Sequence, residues 1–436
     1  MNLLAESAWL LVVLLVFLSG GVWIAAVLFI TGFVGMVMFT QAPAGPLMAT
    51  TVWAASSNWA LASLPLFIWM GEILFRSRIS EDMFRGLAPW VGRLPGGLLH
   101  TNVLGCGIFA AISGSSAATA ATIGRMTVPE LSKRGYDESM LTGSLAGAGT
   151  LGLLIPPSII MIVYGVAADV SIARLFVAGV LPGMMLMALF SGYIALWAIA
   201  KPGLQPPREA AVPLMQKLAA GKYLFPTVLL IAAVVGSIYT GIATPTESAA
   251  LGVVGALLLA WWSQSLNKRV LIEGVAGAVK TTCMISFILM GASFLTAAMG
   301  FTGIPRALAE VISQMGLQPW QLIAVLTALF IVLGCFIDGI SMVVLTAAVI
   351  LPSVRAAGID LLWFGIFVVL VVEMAQITPP VGFNLYVLQS LTGRDMFYVA
   401  RASLPFFFLM VVAVALIWAF PQIVTFLPAQ MFDLTK

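Results

Sequence analysis

Gly105-Cys106-Gly107-Ile108-Phe109-Ala110-Ala111-Ile112-Ser113-Gly114-Ser115-Ser116-Ala117-Ala118-Thr119, and the stretch Thr150-Leu151-Gly152-Leu153-Leu154-Ile155-Pro156-Pro157-Ser158 that closes the same region, decide how this chain folds. The first is rich in glycine, serine and alanine inside an otherwise apolar sequence. The second is an apolar helix interrupted by two prolines. A helix facing lipid gains nothing from either. Backbone that leaves regular helix at membrane depth is tolerated only where protein covers it or a watery cavity meets it. Secondary transporters use such broken segments to hold ions and substrate near the bilayer midplane.

The arrangement occurs twice. Pairs 223 positions apart align without a gap over Pro129–Pro182: Pro129 with Pro352, Gly135 with Gly358, Asp137 with Asp360, Pro156-Pro157 with Pro379-Pro380, and Leu181-Pro182 with Leu404-Pro405. Upstream, Phe67-Ile68-Trp69-Met70-Gly71 resembles Phe287-Ile288-Leu289-Met290-Gly291 at a slightly shorter spacing. Seven identities at one fixed offset, two of them forming a double proline, argue duplication, a mark of transporter folds.

Composition sets the class. Of 436 residues, 61% are hydrophobic and 8% charged, with mean hydropathy +1.09; soluble domains carry about 25% charged residues. The expectation is an all-α polytopic membrane protein with little mass outside the bilayer. Cys106, Cys283 and Cys335 lie in apolar stretches and read as packing residues, and a single histidine, His100, builds no zinc site. No cofactor is expected, and the net charge of +3 does not point to nucleic acid. The N-terminus shows no basic region or small-residue cleavage site, so no removable signal peptide is expected.

Charge orients the spans. Trp9–Phe39 exceeds the roughly 20 residues that cross a bilayer, and the repeat splits it into two helices. Gln41–Trp59 reads as an interfacial segment, Asn58–Phe75 as a span and Arg76–Arg93 as a charged loop with an amphipathic helix. Leu94–Ile123 has basic residues on both flanks, so it enters and returns as a re-entrant hairpin. Ser139–Ala168, broken at Pro156-Pro157, and Ile172–Ala200 follow. Lys201–Lys222 is cytoplasmic; Tyr223–Tyr239, Thr246–Gln264 and Thr281–Phe301 span. Pro319–Leu351 is a second hairpin breaking at Gly334–Gly339, Leu361–Leu391 a second broken helix, and Ser403–Leu427 the exit. Most of the 20 Lys and Arg then lie inside, as the positive-inside rule requires; Arg174, Arg306, Arg355 and Lys436 lie outside with both termini. Five crossings per copy make the second copy inverted. The first repeat is residues 1–215, with scaffold helices over 1–93, hairpin 94–123 and broken helix 139–168. The second is residues 216–436, with scaffold helices over 223–264, hairpin 319–351 and broken helix 361–391. The hairpins and broken helices form the transport domain.

Hard oxygen ligands concentrate at the breaks. Ser113, Ser115 and Ser116 offer hydroxyls facing the segment Gly149-Thr150-Leu151-Gly152 to Pro156-Pro157, whose prolines leave carbonyls one turn earlier without helical donors. The serines read as ion or substrate contacts, whereas Ala117, Ala118, Ala120 and Ala121 read as close-packing positions. In the second copy Asp338 and Ser341 stand in their place, and an ionisable group at membrane depth is usually functional. Their partners are Gln376, Thr378, Pro379, Gly382 and Asn384. At least two Na⁺ sites with a substrate cleft between them are expected, the cleft drawing on Ser116, Pro157, Ser158, Gly382 and Asn384. Arg125 is a candidate for an anionic substrate or a cytoplasmic anchor. Glu72, Glu247 and Glu373 are further acids expected to be buried. Glu247 reads as a helix cap, and Glu373 reads either as structural or as functional.

At these residues the chain resembles the large membrane subunit of tripartite ATP-independent periplasmic (TRAP) transporters. The resemblance lies in Ser113–Gly124, Leu153–Ser158, Gly241-Ile242-Ala243-Thr244-Pro245-Thr246-Glu247-Ser248-Ala249-Ala250 and Ile377-Thr378-Pro379-Pro380-Val381-Gly382-Phe383-Asn384, in order from about residue 9 to 428. It implies Na⁺-driven import of an organic acid, a carboxylate or sulfonate, across the bacterial inner membrane by an elevator motion. It also implies a periplasmic substrate-binding protein and a separate small four-helix membrane subunit as partners. Implied sodium positions are Ser115, Gly152 and neighbours, and Asp338 and Thr378. Many members carry an acid where this chain has Thr119, so any role of that acid is missing here. The rival readings are a stand-alone anion carrier of the same broad fold, a membrane enzyme, for which no convergent acid–base or nucleophile set is visible, and a channel.

Overall fold

The computed structural model describes residues 3–204, 206, 212–304, 307, 310, 318–379 and 382–431. Pro380, Val381, Arg306 and Lys436, all used in the sequence reading, lie outside the described residues. The regular structure among those described is helical throughout.

The first apolar run is two helices, α1 (Leu3–Ser19) and α2 (Ile24–Phe39), turned at Gly21 with φ +73°. α3 (Ala44–Ser56) follows, bent by 49° from the span that contains α4 (Ser63–Phe75). α5 (Ile79–Val91) buries Ile79, Met83, Leu87 and Val91. That four-residue spacing defines one helix face, as expected of the amphipathic loop helix.

The first hairpin is α6 (His100–Ser113) and α7 (Ser116–Lys133). Its second arm continues beyond the expected end at Ile123: Gly124 and Arg125 do not interrupt the helix, and Pro129 is accommodated inside it. The first broken helix is α8 (Glu138–Gly149), α9 (Leu151–Leu154) and α10 (Ile159–Ala168), bent by 44° across the prolines. α11 (Ile172–Ala200) leads to a short α12 (Leu214–Gly221), then to α13 (Phe225–Tyr239) and α14 (Pro245–Trp262).

α15 (Lys268–Thr302) starts well before the expected Thr281, because Asn267 caps it by accepting a hydrogen bond from Val270 N at 2.8 Å. Its 35 residues rise about 52 Å at ~1.5 Å each, more than a hydrocarbon core of about 30 Å. The charged first turns therefore extend past the apolar part. There Glu273 bonds Arg269 at 2.7 Å and Arg76 at 2.6 Å, tying α15 to α4.

The second hairpin is α16 (Pro319–Gly334) and α17 (Gly339–Ala356), and the second broken helix is α18 (Leu361–Gln376) and α19 (Phe383–Thr392). α20 (Met396–Ala419) begins earlier than the expected Ser403, at an Asp395 cap. Pro421 then separates it from α21 (Gln422–Gln430), since proline brings no N–H to continue the helix.

Positions 223 apart play matched roles. Gly135 and Gly358 both take left-handed backbone, with φ +78° and +71°, where only glycine is unstrained. Asp137 and Asp360 both cap the following helix. Pro129 and Pro352 sit inside hairpin arms, Pro182 and Pro405 inside the long helices that follow. Ser115 and Asp338, also 223 apart, cap the second arms of the two hairpins, each accepting from the amide three residues on.

The centre of the molecule is formed by the broken helices. α18 is buried without interruption from Trp363 to Ala375, and α8 from Met140 to Gly149. A helix apolar all round belongs in a core. The periphery is the reverse: Leu251, Val254, Leu258 and Trp261 form an exposed stripe along α14, an apolar face that a bilayer covers.

Candidate functional site

Each half brings a hairpin tip against a helix break. In the first, α6 stops because Gly114 adopts φ +58°, and a Cβ there would lie 3.0 Å from the Pro157 carbonyl oxygen. Glycine is needed both for the turn and for the approach. Ser115 is extended and caps α7, its Oγ accepting from Ala118 N at 3.4 Å. Ser113 Oγ lies 2.7 Å from Thr119 Oγ1, so the position that lacks an acid here is occupied by a hydroxyl pair.

The tip rests on the unwound stretch. A Cβ on Gly152 would be 2.6 Å from the carbonyl oxygen of Ser115 and from Cα of Ser116, so the two backbones touch. Ile155 is extended, and Pro156, Pro157 and Ser158 are buried without helical pairing among them. Ser158 Oγ has no partner among the described residues. Thr150 points elsewhere: its hydroxyl donates to Gly147 O at 2.5 Å within its own helix.

Glu373 completes this cluster from the other half. It is fully buried on α18, and its Oε1 accepts from Ser116 Oγ in a short hydrogen bond and from Leu153 N at 3.1 Å. Its Oε2 has no partner among the described residues. Among the described residues no Lys, Arg or His forms an ion pair with it. Nearby, Asn384 is buried with both polar atoms unpartnered among the described residues, and its Nδ2 lies 3.7 Å from where a Cβ on Gly149 would stand. Glu373 was left open by sequence reasoning, although it is the one ionisable residue in the run Leu361–Gln376. That isolation was the available signal.

The second tip is looser. Asp338 Oδ2 accepts from Ser341 N at 3.1 Å, while Ser341 Oγ is buried and unpartnered. Asp338 is exposed, and it lines a cavity of about 110 Å³ together with Gly334, Ile337, Gly339, Val372 and Gln376. Gln376 Oε1 has no partner among the described residues. Thr378 donates its hydroxyl to Met374 O at 2.8 Å, and half-buried Pro379 follows it. A Cβ on Gly382 would stand 2.7 Å from Gln376 O and 2.8 Å from Thr378 O.

The structure thus gathers Ser113, Ser115, Ser116, Gly152 and Pro157 at one break, and Asp338 and Gln376 at the other. Ser341 lies behind the second tip, bonded to Asp338 through its backbone. Arg125 joins neither. It is exposed, its guanidinium 5.5 Å above the Phe75 ring, and nine residues along α7 from Ser116 is about 13 Å. Glu72 and Glu247 are not buried. Glu72 is half-buried and pairs with Arg76 at 3.0 Å, and exposed Glu247 forms a capping box with Thr244, accepting from its N at 2.8 Å.

Paired hairpins set against paired broken helices, wrapped in apolar spans, define a multi-pass membrane carrier. Among the described residues five helices are long and apolar enough to cross a bilayer, and three bent pairs meet the same test. Residues 11–423 match the family described as tripartite ATP-independent periplasmic transporter, DctM component, and the chain belongs to it. It is 33% identical over 387 residues to the C4-dicarboxylate TRAP transporter large permease protein DctM of Pseudomonas aeruginosa, covering 88% of this chain and 87% of that one. It is 31% identical over 379 residues to the ectoine TRAP transporter large permease protein TeaC of Halomonas elongata, covering 84% and 86%. Its fold is similar to the YdaH transporter of Alcanivorax borkumensis, whose crystal structure was described as having an unusual topology; the TM-score is 0.65 at 12% identity, over 94% of this chain and 99% of that one. The protein is a large permease of secondary transport and not an enzyme.

Proposed function

We propose that this permease imports an organic acid across a bacterial inner membrane by Na⁺ symport. A periplasmic binding protein delivers the substrate, and a separate small four-helix membrane subunit flanks the permease. The observation that carries the reading is the contact of the Ser115–Ser116 tip with Gly152, beside carbonyls that the prolines free from helical pairing. Such unwound carbonyls and hydroxyls are the ligands broken helices offer to Na⁺. The Na⁺ positions are Ser113, Ser115, Ser116, Gly149, Thr150, Gly152 and Pro156 in the first half, and Asp338, Ser341, Gln376, Thr378 and Pro379 in the second. Substrate enters between them, against Ser116, Pro157, Ser158, Gly382 and Asn384.

In this mechanism Na⁺ fixes both hairpins, the substrate anion follows, and the loaded hairpins and broken helices move inward as a unit. The two halves are inverted copies, residues 1–215 and 216–436, with both termini periplasmic. One Na⁺ moving inward at ~100 mV gains about 2.3 kcal/mol from the potential, so two or more drive substantial accumulation.

The test is uptake into proteoliposomes holding this chain with its small partner. A panel of carboxylates and sulfonates is offered with and without a Na⁺ gradient and the periplasmic protein. Uptake is expected to require both. Uptake without the periplasmic protein would make this a stand-alone carrier, and uptake without Na⁺ would remove the cation from both tips.

A further inference from the structure

We propose that Glu373 is a positioning residue that clamps the first hairpin to the second broken helix. One oxygen, Oε1, holds two donors from the first half while its own helix belongs to the second: Ser116 Oγ at the hairpin tip and Leu153 N beside the helix break. Both donors flank Gly152, whose backbone touches the tip. The first tip therefore cannot lift from its break without releasing α18. α18 is buried from Trp363 to Ala375, so the anchor point is rigid.

The clamp runs one way. The position 223 before Glu373 is Thr150, whose hydroxyl bonds Gly147 O at 2.5 Å and lies 3.5 Å from Met410 Sδ on α20, and it bonds no described residue of the second hairpin. The second tip is held by its own cap, Asp338 to Ser341, and borders a cavity. What acts at Glu373 is an acceptor at a fixed place. A glutamine carbonyl oxygen serves the same two donors, and an alanine serves neither.

The test is hydrogen–deuterium exchange on the full chain in lipid nanodiscs, in Na⁺-free choline buffer. Peptides covering Ser113–Ala118 and Leu151–Leu154 are compared with the second tip, 337–342. Glu373→Ala is expected to speed exchange at both first-half segments by about tenfold or more, from two lost hydrogen bonds, and to leave the second tip unchanged. Glu373→Gln is expected to stay within about threefold of the unaltered chain, the amide oxygen replacing Oε1. Unchanged exchange in Glu373→Ala overturns the clamp. So does Glu373→Gln behaving like Glu373→Ala, because the charge and not the acceptor would then do the holding. Should Glu373→Ala fail to fold, Ser116→Ala decides: the tip is expected to loosen while the Leu153 segment, keeping its own bond, does not. Equal loosening of both segments, or of neither, would contradict the clamp. A separate arm adds Na⁺ to the unaltered chain. Absence of Na⁺ protection there counts against the cation reading and leaves the clamp standing.

Discussion

The two hairpin tips occupy equivalent places in the chain and solve the same problem differently. Ser115 and Asp338 stand 223 positions apart, and each caps the second arm of its hairpin. The first tip is neutral, lies in backbone contact with Gly152, and receives its carboxylate from the other half through Glu373. The second carries its own carboxylate, Asp338, exposed at the edge of a cavity of about 110 Å³. One acid thus serves each tip, supplied across the halves in one case and within the hairpin in the other. The caps and turns that build the hairpins recur 223 positions apart while the side chains between them differ. The first tip is built as a closed joint and the second as an open one.

That contrast can be broken most severely at Gly152. Gly152→Val places branched carbon where a Cβ already meets Ser115 at 2.6 Å. Uptake in proteoliposomes should fall by more than about tenfold, since overpacking costs roughly 1–3 kcal/mol at the site. Gly192→Ala, with nothing within 4 Å of the added carbon, should transport normally. Equal behaviour of the two would mean the first tip does not need its backbone contact.

Next comes the acid of the second tip. Asp338→Asn keeps the cap but removes the charge, and the Na⁺ concentration for half-maximal uptake should rise about tenfold, the loss of roughly 1.4 kcal/mol of cation binding. A Na⁺ dependence like that of the unaltered chain would put the second cation elsewhere. Ser113→Ala is a finer probe. It removes the pairing with Thr119 at 2.7 Å together with one proposed Na⁺ hydroxyl, and should lower stability by about 1 kcal/mol, read as a small drop in thermal midpoint, with a rise of about threefold in the Na⁺ concentration for half-maximal uptake. The smallest effect belongs to Arg125→Ala. Its guanidinium lies over Phe75, away from both tips, so substrate affinity should stay within about twofold, a change near 0.4 kcal/mol. A large loss would return Arg125 to the substrate path.

Much of this architecture was legible because prolines, glycines and caps act locally. Gly135 and Gly358, Asp137 and Asp360, and the paired prolines declared the duplicated turns and breaks before any contact was known. The first hairpin is expected from basic residues on both flanks and the second from the repeat and its Gly334–Gly339 break, and each forms a pair of helices in the structure. Ends set by side-chain capping were read less well. Asn267 starts α15 among charged residues that hydropathy assigns to a loop, and Asp395 starts α20 several residues ahead of its most apolar part. The site was half legible. Ser113, Ser115, Ser116, Gly152, Pro157, Asp338 and Gln376 fell at the breaks where backbone chemistry placed them. The hydroxyls of Thr150 and Thr378 turned back to their own helices, a rotamer choice no spacing reveals. Glu373 meets Ser116 across 257 positions of sequence, a contact that only packing of the two halves creates.

The most direct test of two unlike tips, each with a cation, is the cooperativity of Na⁺ activation. Uptake would be measured against Na⁺ concentration for the unaltered permease, Gly152→Ala and Asp338→Asn in the same reconstituted complex. The account predicts a sigmoidal dependence in the unaltered protein that flattens toward a single-site curve in either variant, with weaker apparent affinity. A sigmoidal curve retained in both variants, or a single-site curve in the unaltered protein, would contradict it.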